Sequence, residues 1–296
     1  MRIAKEEGIT TILSAMKEHS LDGNVQEHGC AALMNLAMND KNAVTIFEAD
    51  GIITILSAMK KHSNNSNVQH YGCAALRNLA MNENNRVIIA APEGITTILS
   101  AMKNHLSNAN VQYYGCAALE NLAVNDNNQV IIAEEEGITK ILLAMEIHVS
   151  NEDVQNHGCA ALRNLAMNEN NRVIIVSEGG ITKILLAMEN HLFKTNIQEL
   201  GCGALKNLAV NDENKMAIAS EGGITTILSA MKYHLSNANV QYYGCAALRN
   251  LAMNDNNQVI IAAAEGIITI LTAMKNHSSN ADVQKYGHEA LQIFFL

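Results

Sequence analysis

The stretch Val111-Gln112-Tyr113-Tyr114-Gly115-Cys116-Ala117-Ala118-Leu119-Glu120-Asn121-Leu122-Ala123 decides how this chain folds. With Asn121 at zero and an advance of about 100° per residue, Val111, Gly115, Cys116, Leu119, Leu122 and Ala123 fall between about 80° and 220°. Tyr113, Tyr114, Ala117, Glu120 and Asn125 fall between about −100° and +40° on the same wheel. One face is apolar and the other is polar and aromatic, which predicts an amphipathic helix from Val111 to about Ala123. The Gly-Cys pair inside it returns at Gly29-Cys30, Gly72-Cys73, Gly158-Cys159, Gly201-Cys202 and Gly244-Cys245, with Gly287-His288 as the last instance. Each step is 43 residues, without insertion or deletion. A fixed period of this size is the signature of stacked repeats, none of which buries its apolar faces alone.

Working outward, the unit from Asn82 to Val124 shows the plan. Asn82 is a good N-cap for a short helix that is expected to end near Gly94. Ile95, Ile98, Leu99 and Met102 then recur at i, i+3, i+4 and i+7, giving a second amphipathic helix. The polar turn Ser107-Asn108-Ala109-Asn110 leads into the third and longer helix. Seven such units, at about 1–38, 39–81, 82–124, 125–167, 168–210, 211–253 and 254–296, are expected to form a single array over residues 1–296.

Composition agrees. Apolar residues make up 48% of the 296 residues, enough for a core, whereas aromatics are 4%, Trp is absent and Pro occurs once. That is poor material for a β-sandwich or barrel. The net charge of −9 opposes a protein whose main task is neutralising phosphates, and nucleic acid is not the expected partner. No membrane partner is expected either: no stretch approaches about 18 uninterrupted apolar residues, and no signal peptide is read in the first residues. The six Cys lie on the core face and read as small buried apolar groups in a reducing, cytoplasmic setting, with the nucleus as the alternative. No nucleotide loop, nucleophile elbow or converging metal-ligand set is present; the reading is non-enzymatic, with no cofactor and no metal.

The order short helix, Gly, Ile-x-x-Ile-Leu helix, then Val-Gln-x-x-Gly-Cys-Ala-Ala-Leu-x-Asn-Leu-Ala resembles the armadillo repeat, seven times over the whole chain. HEAT repeats are the nearest alternative, but they lack this Gly-separated short first helix. The resemblance implies an all-α, right-handed superhelical α-solenoid with three helices per repeat. It also implies that the third helices line a concave surface on which Asn35, Asn78, Asn121, Asn164, Asn207 and Asn250 bond the backbone of an extended peptide. An amide offers donor and acceptor together, which suits a peptide unit. The alternative is that these Asn satisfy loose backbone groups of a neighbouring turn.

The presumed groove stripe varies while the core face repeats. The residue before the Asn is Met34, Arg77, Glu120, Arg163, Lys206, Arg249 or Gln292, and the residue seven before it is His28, Tyr71, Tyr114, His157, Leu200, Tyr243 or Tyr286. Residues 94–133 and 223–262 agree at 37 of 40 positions; the differences are Asn104/Tyr233, Glu120/Arg249 and Val124/Met253. Neutral drift at exposed positions is the alternative account. Importin-alpha-like arrays carry Trp four residues before the Asn; here those positions are Ala31, Ala74, Ala117, Ala160, Gly203 and Ala246, so recognition of basic nuclear signals is not implied. Arg77, Arg163, Lys206 and Arg249 resemble instead the basic groove of beta-catenin-like arrays. The expected partner is a protein or peptide with an extended segment bearing Asp, Glu or phosphate, flanked by Tyr71, Tyr114 and Tyr243.

His19, His62, His105, His148, His191, His234 and His277 each close a second helix, where they favour the helix dipole and meet free carbonyls. Met1-Arg2-Ile3-Ala4 aligns with Val130-Ile131-Ile132-Ala133, placing the first residues inside a first helix. In the last unit His288 replaces Cys and Ile293 replaces Asn. Both ends are apolar, as in a fragment of a longer array or an array whose ends meet a partner or each other. Two rival functions follow: a helical-repeat nucleic-acid reader, and an assembly scaffold that associates end to end.

Overall fold

The computed structural model describes residues 6–90 and 93–295, in which there are twenty α-helices and no strand. The expectation for Met1–Ala4 lies outside the described residues. The first helices are Asp40–Glu48, Glu83–Ala90, Asp126–Glu134, Glu169–Ser177, Asp212–Ser220 and Asp255–Ala263. The second are Glu6–Glu18, Gly51–Lys61, Gly94–Asn104, Gly137–Ile147, Gly180–Asn190, Gly223–Tyr233 and Gly266–Asn276. The third are Gly23–Leu36, Ser66–Leu79, Ala109–Leu122, Glu152–Leu165, Thr195–Leu208, Ala238–Leu251 and Ala281–Phe295. Three helices per 43 residues, each repeat packed on its sequence neighbours, make an α-solenoid. The chain divides into two compact units, 1–148 and 149–296, and the division falls inside the fourth repeat.

Asparagine writes most of the helix boundaries. Asn65, Asn108, Asn151 and Asn237 sit in extended backbone and accept backbone N–H groups at the start of their third helices. Asn39, Asn125, Asn168, Asn211 and Asn254 do the same for the first helices. Three residues further on, a buried Asn turns back to the end of the preceding helix: the Nδ2 groups of Asn85, Asn128 and Asn214 donate to the carbonyls of Leu79, Leu122 and Leu208 at 3.0–3.1 Å. The Asn-x-Asn-Asn string therefore caps one helix with its first member and ties down the previous helix with its last.

The elbow between first and second helices differs from the sequence expectation. Gly94 opens the second helix, and in the next repeat the first helix ends at Glu134 while Gly137 opens the second, so this glycine does not close the first helix. The equivalent Gly51 shows why glycine is needed here: a Cβ would lie 2.6 Å from the carbonyl oxygen of Ile46. The left-handed backbone that makes the turn belongs to the residue before this glycine, at Asp50, Glu136, Gly179, Gly222 and Glu265.

Within a repeat, the second helix presses a methionine onto the glycine of the Gly-Cys pair. A Cβ on Gly72 would lie 2.5 Å from Met59 Cγ, and the same holds for Gly115 with Met102, Gly201 with Met188 and Gly244 with Met231. The invariant Gly is thus a contact surface for a flexible thioether. Beside it, the Nε2 groups of Gln69, Gln112, Gln198 and Gln241 each donate to two carbonyls at the end of the second helix, those of the Met and the His.

Between repeats, the third helices lie side by side. Ser66–Leu79 packs against Gly23–Leu36 and Ala109–Leu122 in the first unit, and Ala238–Leu251 against Thr195–Leu208 and Ala281–Phe295 in the second. This layer explains a departure from the helical wheel. Ala117, placed on the outward stripe by its angle, is fully buried, in a helix that packs along the third helix Ser66–Leu79 of the preceding repeat. Val111, Cys116, Leu119, Leu122 and Ala123 are fully buried as expected. The His column is a second inter-repeat tie. Nε2 of His62, His105, His148, His191, His234 and His277 reaches the carbonyl 42 residues earlier at 2.7–3.0 Å, and since a carbonyl only accepts, the ring nitrogen donates.

Candidate binding face on the third helices

The Asn proposed for peptide binding already have partners within the protein. Nδ2 of Asn78 donates to Met34 O, that of Asn121 to Arg77 O, that of Asn207 to Arg163 O and that of Asn250 to Lys206 O, at 2.8–2.9 Å and always 44 residues back. Asn35, in the first repeat, bonds Ala31 O of its own helix at 3.1 Å. Asn78 and Asn207 are buried; Asn121, Asn164 and Asn250 are partly exposed and Asn35 is exposed. One amide hydrogen of Asn78, Asn121, Asn207 and Asn250 thus serves the repeat stack. At the partly exposed positions, the second hydrogen and the Oδ1 lone pairs not taken by a neighbouring arginine are the capacity left for a ligand.

The four cations differ. Arg77 Nη1 donates to Asn78 Oδ1 at 2.9 Å, and Arg249 Nη1 to Asn250 Oδ1 at 3.0 Å. Arg249 also pairs through Nε with Glu289 of the next repeat at 3.3 Å. Arg163 and Lys206 have no carboxylate in ion-pair range among the described residues. They converge on one ring: the Arg163 guanidinium carbon lies 5.9 Å and Lys206 Nζ 5.6 Å from the Tyr243 centroid. Burial first, and then the neighbouring charge of Arg163, hold the Lys206 ammonium below the usual lysine range.

The tyrosines belong to short aromatic ladders. In the first unit Tyr71 stacks on His70 (4.4 Å), His70 on Tyr114 of the next repeat (5.0 Å) and Tyr114 against Tyr113 (4.1 Å). Burial lowers the His70 imidazole from its ordinary pKa, against the raising effect of Glu27. In the second unit Tyr243 meets Tyr242 at 4.4 Å, and Tyr242 meets Tyr286 at 5.3 Å. Burial, followed by the charges of Tyr286, Tyr243 and Asp282, pushes the Tyr242 phenol up to about 12. Such pairs contribute about 0.5–1.5 kcal/mol beyond their buried area. They also hold the rings as a rigid platform.

Single-residue periodicity missed several of these groups. His70 and Tyr242, eight residues before the Asn, bridge the repeats, whereas the column read from the sequence lies seven residues before it. An apolar column was also overlooked: Met38, Met81, Val124, Met167, Val210 and Met253, three residues after each Asn, are all more than half exposed. Their fixed register was the available signal. The six Cys are fully buried, and burial pushes the thiols of Cys30, Cys73, Cys159, Cys202 and Cys245 up to about 12. No single described helix is long and apolar enough to cross a membrane.

Comparison with known proteins bears on this arrangement. Residues 93–221 match the family model described as the LRRK2 ARM repeat. Among solved structures, the chain superposes on one described as relating to the interaction between cadherin and beta-catenin, with a TM-score of 0.57 at 17% identity. The chain is an armadillo-like repeat protein. That superposition covers 97% of this armadillo-like chain and 60% of the other, so the chain spans only part of its length. A crystal structure of an engineered protein from the Northeast Structural Genomics Consortium gives a TM-score of 0.72 at 20% identity, covering 83% of this chain and 96% of that one. Residues 65–118 and 241–288 also match a model described as the WhiA LAGLIDADG-like domain. Both segments run from one third helix to the next, so this match falls on equivalent stretches of the armadillo-like repeat. No curated protein matches the chain in sequence.

Proposed function

We propose that the protein is a non-catalytic interaction scaffold whose third-helix faces bind an extended, acidic peptide segment. The observation that carries this reading is the coincidence, on one helix layer, of rigid tyrosine ladders, partly exposed amides in fixed register and cations without internal acids. Packed helices lie about 8–10 Å apart and an extended chain advances about 3.3 Å per residue, so each repeat faces two to three ligand residues. The structural neighbour described as relating to the interaction between cadherin and beta-catenin supports a protein or peptide partner.

The internal bonds of the Asn ladder shift the emphasis of the reading. With one hydrogen already used, each amide offers a ligand at most a modest contribution, about 0.5–1.5 kcal/mol for a net hydrogen bond. Specificity then rests on Arg163, Lys206 and the tyrosines, and on the exposed Met and Val column for apolar ligand side chains. A screen of extended peptides in acidic, basic and neutral sets tests the proposal. Acidic peptides should bind with salt-sensitive affinity, and selection of basic peptides would contradict it.

A further inference from the structure

The cation pair of the second unit is unlike any other position on the third-helix layer. Arg249 is neutralised by Glu289, and the Arg77 guanidinium is bonded to the Asn78 oxygen. Arg163 and Lys206 lie close enough for the charge of one to act on the other, and both sit against Tyr243. Glu199, on the same helix as Lys206, accepts from Asn239 Nδ2 at 3.1 Å. Two like charges in a half-buried site repel, and burial removes the water that would screen them. The arrangement is complete when an anion lies between them.

Gly203 makes this arrangement possible. Four other third helices bury alanine at the equivalent position: Ala74, Ala117, Ala160 and Ala246. A Cβ on Gly203 would lie 2.8 Å from Arg163 Cδ and 3.4 Å from Tyr243 Cδ1. The missing methyl group is the space in which the Arg163 stem lies flat toward the Tyr243 ring. Glycine inside a helix costs about 0.5–1 kcal/mol relative to alanine. Here that cost leaves room for the Arg163 guanidinium beside the Tyr243 ring, which Lys206 of the next repeat also faces.

We propose that Arg163, Lys206, Tyr242 and Tyr243 form a subsite for a phosphoryl group carried on the extended peptide, with Gly203 as its positioning residue. This rests on the peptide-binding reading for the carrier, but not for the phosphoryl chemistry itself. A phosphorylated side chain brings about −1.5 to −2 charges and three acceptor oxygens, matching a guanidinium fork and an ammonium together. A carboxylate brings one charge. The Tyr242 ring lies 5.9 Å from Lys206 Nζ and walls the same ammonium.

The test compares one acidic peptide carrying phosphoserine, glutamate or serine at a single position, and adds inorganic phosphate followed by NMR at the Lys206 ammonium and Tyr243 ring. The phosphoserine form should bind at least about tenfold more tightly than the glutamate form, in keeping with new charge-assisted hydrogen bonds. Inorganic phosphate should shift both resonances saturably. Arg163→Met and Lys206→Met should each weaken the phosphoserine form by more than the glutamate form, so that the preference between the two is lost. Gly203→Ala should reduce the preference while raising thermal stability, a pairing that a purely structural role would not give. If acidic peptides bind but the phosphoserine and glutamate forms are equal, or if the preference survives in both Met variants, the subsite is overturned and the peptide reading stands. If no peptide binds but phosphate shifts Lys206 and Tyr243, the subsite stands and the peptide reading falls. If neither occurs, both are overturned.

Discussion

The side-chain amide of Asn121 donates to the backbone carbonyl of Arg77, 2.9 Å away and 44 residues earlier. The same step joins Asn250 to Lys206 and Asn207 to Arg163. Each acceptor is itself the variable residue that precedes the Asn of its own repeat, so one hydrogen bond links the repeat stack to the backbone that carries the cations. Losing it should loosen both.

Asn121→Ala should therefore destabilise the protein by about 1 kcal/mol, the usual worth of a net hydrogen bond. Asn121→Asp should cost more, because a carboxylate facing the Arg77 carbonyl has no hydrogen to donate. Urea unfolding of the two variants checks this. An Asp variant as stable as the parent would show that the amide does not hold the repeats together.

Gly72→Ala places a methyl group 2.5 Å from Met59 Cγ and 2.6 Å from its sulfur. Overpacking of this kind costs about 1–3 kcal/mol, although alanine favours helix. Met59→Ala alone should also destabilise, through a cavity. The double variant should be less destabilised than the sum of the two. Additive losses in a double-mutant cycle would refute the contact.

Arg249 and Glu289 face each other across two repeats, with both side chains partly exposed. An exposed pair contributes about 0–1 kcal/mol, so Arg249→Glu should lower stability only slightly, and less at high salt. The swap Arg249→Glu with Glu289→Arg should recover it. Thermal melts at two salt concentrations distinguish this from a loss that no partner restores.

The buried thiols make stability depend on pH at the alkaline end. Burial pushes Cys73, Cys159 and Cys202 up to about 12 in the folded state, against about 8.5 for a thiol in an unfolded chain. Between these values the folded thiol keeps its proton while the unfolded one loses it, so stability falls as pH rises, by about 1.4 kcal/mol per unit for each thiol. Urea midpoints at pH 8, 9 and 10 should drop progressively. Cys73→Ala should flatten the slope, and an unchanged slope would place that thiol in solvent.

Much of the fold was legible because the repeat offers seven readings of one pattern. The core face Val111, Gly115, Cys116, Leu119 and Leu122 follows from helical periodicity alone. Ala117 does not, because periodicity within one helix carries no information about the helix of the preceding repeat packed along it. The expectation of a short helix ending near Gly94 left out the role of this glycine for a related reason: the close backbone carbonyl of Ile89 requires glycine at the first residue of the second helix. The near-identical stretches 94–133 and 223–262 show the same limit. Tyr233 packs edge-on against Phe193, and Arg249 pairs with Glu289, so two of their three differences answer to residues in adjacent repeats. The Asn register was visible in the sequence, but its use between repeats depends on a 44-residue offset that only packed helices reveal. The acidic character of the partner and the role of the variable stripe rest on charge and geometry at Arg163, Lys206 and the tyrosines.

The central claim is that ligands engage the third helices. Backbone amide shift mapping with a bound acidic peptide tests it most directly. The account predicts perturbations along Ser66–Leu79 and Ala109–Leu122 in the first unit and along Thr195–Leu208 and Ala238–Leu251 in the second, largest near Tyr71, Tyr114, Lys206 and Tyr243. Perturbations confined to the exposed side of the second helices, around Ile53, Leu186 and Ile268, would contradict it.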